Sequence, residues 1–319
     1  MAKVRAYGAD AMLKACREAT YGTAPASGYR SLDFKSTDLS SEQPLGDDPL
    51  LGRGRNAQDP YRGLITDEGQ IEIPLDLRGI GFWLTGLFGN ATSAETGDGA
   101  HTHVWNSGSD DIPSYTIEIG HPKLATPVFF RHTGTVMESL SFDMGQEGPA
   151  NGRIQLVAQG ETTAATTIDA SAASYSLRRF SQGRGFIRRG GANLAGVTGG
   201  SLTFSNNLER VRVIREDGKI EAADPTFASA QGTMTVRFDG QTLVAEAMNG
   251  NPVTLEYGFT FEGGFALRFE LPRVFLPKPK YAISGPGGIE ASFDWRAAYD
   301  EAEGTLLRVS LSNDVSSYA

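Results

Sequence analysis

Two glutamates of the 319-residue chain occupy nearly identical local sequences, Glu118 in TIEIG (116–120) and Glu256 in TLEYG (254–258). Paired carboxylates roughly 5 to 10 Å apart across a sugar cleft carry out glycoside hydrolysis, and a β-sandwich commonly hosts them. A single active site would not need an acid copied in each half of the chain, so the equivalence indicates a structural role performed twice. The sequence also contains neither a Ser-His-Asp order nor a G-x-S-x-G motif, and it therefore predicts no enzyme.

The other residues suited to chemistry are His101 and His103 in the stretch HTHVW. Alternate positions place both on one face of a strand, a spacing that can ligate zinc. The remaining histidines, His121 and His132, lie elsewhere, and neither a cysteine nor H-E-x-x-H accompanies the pair. We therefore expect no metal. The glycine-rich GRGRN (52–56) neither follows a strand nor opens a helix, so we expect no phosphate-binding cofactor either.

One basic segment, Ser176–Gly191, interleaves arginines with Phe180 and Phe186, a combination that single-stranded nucleic acid prefers. Its arginines are Arg178, Arg179, Arg184, Arg188 and Arg189. The whole chain carries 38 acidic and 29 basic residues, a net charge of −9, which argues against tight binding to phosphates. We expect this basic patch to pair with an acidic edge of a neighbouring subunit, for which Ser36–Pro49 is the candidate. Nucleic-acid binding stays open as the alternative.

The elements that must position these residues are mainly β-strands. There are 39 glycines and 15 prolines, and they separate short runs rich in Val, Ile, Thr and Phe, as in antiparallel β proteins with many turns. No apolar run approaches 18 residues and the first residues lack an apolar signal region, so we expect no membrane segment. Cys16 is the one cysteine, which excludes an internal disulfide and suits folding inside a cell.

The order of elements is repeated in the two halves of the chain. In the first half a period-two pattern changes to helical spacing over Gly69–Asn90 and stops at Gly-Asn, and the second half repeats this over Gly232–Asn251. The further matches are Ser31–Leu39 with Ser201–Glu209, Thr116–Gly120 with Thr254–Gly258 and, more weakly, Gly152–Gly160 with Gly288–Arg296. We interpret this as an internal duplication, with chance resemblance of two β-rich modules as the alternative.

The duplication predicts two similar β-sandwich or barrel modules, residues 1–160 and 177–319, joined by a low-complexity linker at 161–176. Each module is expected to carry one short amphipathic helix, the second pairing Leu243 with Ala247 and Val244 with Met248. Long loops are predicted at 35–63 and 91–113.

Each module also projects an arm from the same corner, Lys35–Gly63 in the first and Asn206–Phe227 in the second. The second arm reads as a hairpin with an Asp217-Gly218 turn. An isolated two-stranded arm is marginal in water, so docking on another subunit would order it. The candidate arm residues are Asp38, Gln43, Asp47, Asp48, Arg53, Arg55, Arg212, Arg215, Glu216 and Lys219.

In this order the motifs resemble the tail tube (major tail) proteins of long-tailed, siphovirus-type bacteriophages, of the kind with a doubled tube fold. The motifs are REATYGTAP near the start, GQIEIPLDLRGIGFWLTGLFG, HTHVW before PSYTIEIG, GGSLTFSNNLE, and LLRVSLSND near the end. Each motif is weak alone, but together they extend over nearly the whole chain.

The resemblance implies a structural virion protein made in the host cytoplasm and located in the tail. Such proteins form rings that stack into a tube for the genome. A doubled chain would need a homotrimer where single folds need a hexamer, with a hexamer of this chain as the alternative. Its partners would be further copies, the terminator, tape measure and distal tail proteins, and double-stranded DNA in passage. Acidic residues would line the lumen and repel phosphate. The candidates are Glu72, Asp76, Glu118 and Glu256.

A tandem β-sandwich of carbohydrate-binding or adhesin type is the alternative function. Such a protein should carry exposed aromatic residues clustered on one sheet. Trp83, Trp105 and Trp295 are scattered along the sequence, and Trp83 falls within the predicted helix. The sequence therefore favours the structural role over sugar binding.

Overall fold

A computed structural model describes residues 5–237, 248–279 and 289–318 of the chain. The described part is mainly β, as predicted, with one α-helix, α1 (Ile80–Phe88). Short 3-10 turns lie at Gly8–Asp10, Gln182–Arg184 and Glu262–Gly264.

The strands before the middle of the chain are β1 (Met12–Arg17), β2 (Arg30–Ser31), β3 (Ser36–Thr37), β4 (Ser40–Glu42), β5 (Leu45–Gly46), β6 (Tyr61–Arg62), β7 (Thr66–Pro74), β8 (Thr92–Gly97), β9 (Ala100–Asn106), β10 (Tyr115–His121), β11 (Val128–Met144), β12 (Asn151–Ala158) and β13 (Gly160–Ala164). The later strands are β14 (Ala173–Ser174), β15 (Gly185–Arg189), β16 (Ala192–Asn193), β17 (Val197–Ser205), β18 (Glu209–Val211), β19 (Ala222–Asp224), β20 (Ser229–Arg237), β21 (Val253–Thr260), β22 (Ala266–Phe275), β23 (Glu290–Ala297) and β24 (Arg308–Asn313).

Alternation of apolar and polar residues forms most of these strands. In β23, Ala291, Phe293 and Trp295 are buried while the residues between them are exposed. Side chains of a strand point alternately to its two faces, so this pattern puts one face in the core and the other in solvent. The core is one hydrophobic cluster that draws residues from both halves of the chain.

The first half of the chain forms one block of antiparallel strands. Strand β11 is its centre: β10 lies along the first part of one side, and β12 followed by β13 lies along the other. Strand β1 pairs with β10, and β7 pairs with β12 and carries β3 and β4 on its far side.

The second half forms a block with a similar pattern of strand pairing. Strand β22 lies between β21 on one side and β23 and β24 on the other. Strand β15 pairs with β21, while β20 pairs with β23 and carries β17. The blocks join where β17 pairs with the second part of β11, and where β24 pairs with β9.

The switch from strand to helix occurs where the spacing predicts it. Helix α1 follows β7 after a turn in which Asp76 accepts hydrogen bonds from the N–H groups of Arg78 and Gly79 (3.1 and 2.8 Å). It ends at Gly89 with φ of 83°, a conformation that glycine adopts without strain. The helix is buried on nearly all sides rather than along one stripe, so the amphipathic description is corrected. The predicted second helix lies almost wholly outside the described residues.

The structure refines one strand prediction and two loop predictions. The alternation of Leu32 and Phe34 with polar neighbours predicts a strand over Ser31–Leu39, but only β2 and β3 of this stretch lie in ladders. The predicted loop 91–113 contains the β8–β9 hairpin, and the predicted linker 161–176 contributes to β13 and β14. These segments are rich in small and polar residues, so their pairing depends on distant strands rather than on local pattern.

Both arms contain short antiparallel pairs. The first has β5 and β6, and the second has β18 and β19 with the predicted turn at Gly218, whose φ is 67°. The second arm packs a small hydrophobic cluster of Leu208, Ile220 and Ala223 against Val136 and Val157.

Candidate interaction site

Glu118 is a fully buried carboxylate held by three short hydrogen bonds. It accepts from Arg131 Nε (2.9 Å), from the Thr167 hydroxyl (2.5 Å) and from the backbone N–H of Ile168 (2.9 Å), and its side chain has 0% exposure. A buried charge is stable only when paired and hydrogen-bonded, and here both conditions are met. A carboxylate so enclosed has no access to a substrate.

Lys14 lies opposite Glu118 in the neighbouring strand and holds the same segment of chain. Its ammonium donates to the Thr167 hydroxyl (2.8 Å) and to the backbone carbonyl of Asp169 (2.6 Å). Arg131 Nη2 donates to the carbonyl of Thr166 (2.6 Å). We call Lys14, Glu118 and Arg131 the covered row, because residues 166–169 lie across it and bind mainly through their backbone.

Glu256 occupies the matching place in the second block but has no such cover. Arg188 lies opposite it on one side and Glu270 on the other. Its ion pairs are long, 3.4 Å to Arg188 Nη1 and 3.8 Å to Arg268 Nε, and its side chain is 13% exposed. Two carboxylates directly opposite in neighbouring strands repel each other, so this site is less satisfied than the covered row.

A groove of about 430 Å³ lies over Glu256. We call it the open groove; its charged lining residues are Arg188, Glu256, Glu270, Asp300, Glu303 and Arg308. These are four acids and two bases, so the groove is net negative. It has the shape and charge to receive a cationic segment.

The predicted basic patch does not present five free arginines. Arg178 stacks on the ring of Phe261 at 4.6 Å, Arg179 donates to Asn151 (2.7 Å), and Arg184 pairs with Glu262 (3.1 Å). Arg188 stacks on Phe186 at 4.1 Å and lines the open groove, while Arg189 lies in β15 opposite Leu255. Most arginines of the patch therefore already contact side chains of their own chain.

The histidine pair has a structural environment. His103 is buried, with Nδ1 2.7 Å from the Ser93 hydroxyl and Nε2 2.8 Å from the carbonyl of Val315, and burial lowers its pKa. His101 stacks beside it with ring centroids 6.3 Å apart. Within the described ranges, no group of three or more His, Cys, Asp or Glu residues is placed to hold a metal ion.

The four acidic lumen candidates differ in exposure. Glu118 and Asp76 are buried, and desolvation raises the pKa of Asp76. Glu72 stays near the surface, where its hydrogen bond with Lys35 (2.6 Å) lowers its pKa. Glu256 lies at the base of the open groove. Only Glu72 and Glu256 therefore keep part of their carboxylate surface accessible.

The arm candidates divide into anchored and free residues. Asp38 accepts from the N–H of Gln70 (2.5 Å), and Gln43 donates to the carbonyl of Gly63 (3.0 Å), which tie the first arm to its base. Arg215 pairs with Asp217 (2.7 Å), whose pKa this contact lowers to about 2. The residues Asp47, Asp48, Arg53, Arg55, Arg212 and Glu216 are exposed, and Lys219 packs against Gly160.

Three charged or titratable side chains that fasten distant segments together, called anchors here, were not predicted from the sequence. Arg210 binds Glu68 and Glu138 at 2.9 Å each and so fastens the second arm to β7 and β11; the hydrogen bond with Glu68 raises its pKa. Buried His132 contacts Asp67 at 2.9 Å. No local pattern could reveal these pairs, because each joins residues more than 60 positions apart.

The third anchor is Glu18, within the REATYGTAP motif. Its carboxylate accepts from the hydroxyls of Thr116 (2.6 Å) and Ser114 (2.8 Å) and from the N–H groups of Gly22 (2.8 Å) and Gly134 (2.9 Å). This ties the segment after β1 to β10 and β11.

The described residues offer nothing to the carbohydrate-binding alternative. Trp83, Trp105 and Trp295 are 1–2% exposed, so none presents a ring on which a sugar could stack. Trp295 donates to the hydroxyl of Tyr257 (2.6 Å) in the core. In the part of the chain that the structure describes, no helix has the length and apolar character needed to cross a membrane.

Comparison with known proteins gives one family. The family model described as phage tail tube protein matches residues 8–297. A search of curated proteins finds no match.

Proposed function

This chain belongs to the phage tail tube protein family and is a structural component of the phage tail that assembles into a tube, and we propose that it does so as a ring of three chains. Each chain supplies two tube folds, so three chains supply six. The protein acts without catalysis, in siphovirus-type tails assembled in the host cytoplasm, and the stacked rings guide double-stranded DNA. The terminator, tape measure and distal tail proteins are its further partners.

The observation that carries the proposal is the matching set of strand ladders in the two halves. Six pairings of the first block have counterparts in the second. They are β1–β10 with β15–β21, β10–β11 with β21–β22, β11–β12 with β22–β23, β12–β7 with β23–β20, β7–β3 with β20–β17, and β11–β13 with β22–β24. Unrelated β modules would not share both the order of strands and their neighbours.

Register supports the same equivalence. Ile71 lies opposite Ile154, and Met234 lies opposite Phe293. Since the sequence match already equates Ile71 with Met234, the ladders equate Ile154 with Phe293. The weak match of Gly152–Gly160 with Gly288–Arg296 is therefore three residues out of register.

The ladders also shift the earliest match. Thr37 lies opposite Ile71, and Gly200 lies opposite Met234. Residues 36–42 thus take the place of residues 199–205, whereas the sequence match aligned Ser31–Leu39 with Ser201–Glu209. The two short strands β3 and β4 together correspond to the second part of β17.

This equivalence suggests how a ring closes. Within the chain, residues 139–144 of β11 pair with residues 200–205 of β17 and so join the two blocks. The corresponding edge of the first block, formed by β3 and β4, has no strand on its outer side among the described residues. A bare edge invites pairing with another chain, and a closed ring removes it. We infer that a second copy pairs there.

The same proposal includes an acidic lumen, but with fewer of the four acidic candidates. Glu72 faces away from the core beside Ser36 and stays partly exposed, so it is the acidic candidate best placed to face passing DNA. Asp76 and Glu118 are enclosed by their own chain and contribute no charge to a surface. Like charges on lumen and phosphate would let DNA slide without adhering.

Electron microscopy of the purified protein at high concentration tests the proposal. We expect hollow rings and tubes. Deleting residues 47–59, which lie between β5 and β6, should leave the sheet intact and allow rings while preventing their stacking. A protein that stays monomeric under all assembly conditions would contradict the proposal, and tubes formed by the deletion variant would contradict the arm assignment alone.

A further inference from the structure

The tip of the first arm is a cationic segment whose charged side chains have no partner among the residues that the structure describes. Residues 52–56, GRGRN, are all exposed, as is Leu51 beside them. Arg53 and Arg55 make no hydrogen bond or ion pair within the described residues. The arm tip, defined as residues 52–56, contains two positive charges and no acid.

The open groove has the opposite charge and spare acceptors. Glu256 makes only long contacts, and Glu270 lies opposite it with Arg308 at 3.9 Å. Guanidinium groups form their strongest hydrogen bonds with carboxylates, at about 2.7–2.9 Å. Glu303 and Arg308 already form one pair of this length (2.9 Å), whereas the pairs of Glu256 and Glu270 are 3.4–3.9 Å long, so these two carboxylates can bind further donors.

The covered row shows what such a groove binds. There Lys14, Glu118 and Arg131 hold residues 166–169 through two backbone carbonyls, one backbone N–H and one hydroxyl. The chain that follows β24 does not return to the open groove in the same way. It runs instead to α1, where Asp314 pairs with Arg78 (2.5 Å) and the Tyr318 hydroxyl donates to the Arg78 carbonyl (2.6 Å).

We propose that the open groove of one copy binds the arm tip of a second copy, and that this contact joins neighbouring rings. The inference rests on the proposed function and names the receptor for the arm. Arg53 and Arg55 pair with the groove carboxylates around Glu256 and Glu270. Gly52 and Gly54 have no side chains, which lets the backbone between the arginines lie close to the sheet, as residues 166–169 do in the first block.

Each chain offers one arm tip and one open groove, so a stack of identical chains contains equal numbers of the two surfaces. The two surfaces differ, so the contact is heterologous. A heterologous contact that does not close on itself repeats from subunit to subunit and builds a filament. This is the geometry that stacking requires.

Site-specific disulfide formation tests the contact directly. In a Cys16→Ser background, Asn56→Cys on the arm tip, which keeps both arginines, is combined with Ala302→Cys on the exposed lip of the groove. Two cysteines bridge only when their Cα atoms are within about 7 Å. We expect oxidised tubes to yield covalent oligomers on a denaturing gel. The matched control combines Asn56→Cys with Glu95→Cys, an exposed position on β8, and should yield none.

Tubes that give no disulfide at Ala302→Cys, or give it equally at Glu95→Cys, would overturn the groove assignment while leaving the proposed function standing. A parent protein that forms no rings or tubes would contradict the proposed function itself.

A double-mutant cycle gives an independent test. Arg55→Gln and Glu270→Gln should each lower the fraction of protein in tubes at fixed concentration, at least threefold, with single rings preserved. If the residues meet, the double variant should be no worse than the more affected single variant, because interacting residues are not additive. If the double variant instead loses tubes by the product of the two single-variant factors, the contact is contradicted. Asp47→Asn, outside the arm tip, is the control and should assemble normally.

Discussion

Under the proposed duplication, the covered row and the open groove are equivalent positions of the two blocks with different surroundings. Both place a glutamate between a cation on one neighbouring strand and a charged residue on the other. In the first block the cation-rich row is closed by residues 166–169, whereas in the second an acid, Glu270, faces Glu256 and the site stays open. In our proposal, the first copy of the site stabilises its own chain and the second copy is left open for assembly.

The largest difference should appear when each glutamate is removed. Glu118→Ala leaves Arg131 half-buried without its anion and removes the acceptor of the Thr167 hydroxyl and the Ile168 N–H, and breaking a buried pair in this way costs about 3–5 kcal/mol. Glu256→Ala loses only long, partly exposed contacts and should cost less than about 1 kcal/mol. Urea unfolding of both variants measures the difference. Equal losses in the free energy of unfolding would mean that the two glutamates stabilise the folded chain equally, which would contradict the comparison.

A smaller effect should follow from loosening the cover itself. Thr167→Val removes the hydroxyl shared by Lys14 and Glu118 and should lower the free energy of unfolding by about 1–3 kcal/mol. Thr254→Val, at the exposed margin of the open groove, should change it by less than about 0.5 kcal/mol. The pair is matched in chemistry. A large loss at Thr254 would show that the open groove is also a stability element.

The smallest effect concerns the C-terminal segment, whose docking on α1 leaves the groove open. Burial lowers the pKa of His103 below its ordinary value of 6.5, so the unfolded chain binds a proton more readily than the folded chain. Stability should therefore fall as the pH drops below about 6.5. His103→Gln should remove this part of the pH dependence between pH 7.5 and 5.5, measured as the urea midpoint. If the urea midpoint of the variant still falls with pH as steeply as that of the parent protein, His103 is not the cause of the pH dependence.

Sequence reasoning predicted the features that local pattern controls. The change of period from two to 3.6 located β7 and α1, and glycine with positive φ located the helix end at Gly89 and the arm turn at Gly218. It did not predict the hairpin of β8 and β9, because β8 consists of small and polar residues and β9 pairs on its other side with β24, some 200 residues away. The same reason hides the contacts of Glu118 with Thr167.

Under the proposed duplication, two of the sequence matches are out of register with the strand ladders, and this has a physical origin as well. Ser31–Leu39 resembles Ser201–Glu209 in sequence, yet residues 36–42 take the equivalent place in the ladder. Strand residues tolerate many substitutions on a partly exposed sheet, so short strand matches slip in register. The candidate site was predicted only as a pair of equivalent glutamates. Which of them is covered depends on the path of residues 166–169, and the short sequence Thr-Thr-Ile-Asp does not specify that path.

The central claim is that one chain supplies two tube folds, and the number of chains in a ring tests it most directly. Native mass measurement of rings released by the 47–59 deletion, combined with cryo-electron microscopy of end-on views, gives that number. Three chains of 34.1 kDa with six similar lobes are predicted. Rings of six chains with twelve lobes, or of three chains with three lobes, would contradict the account.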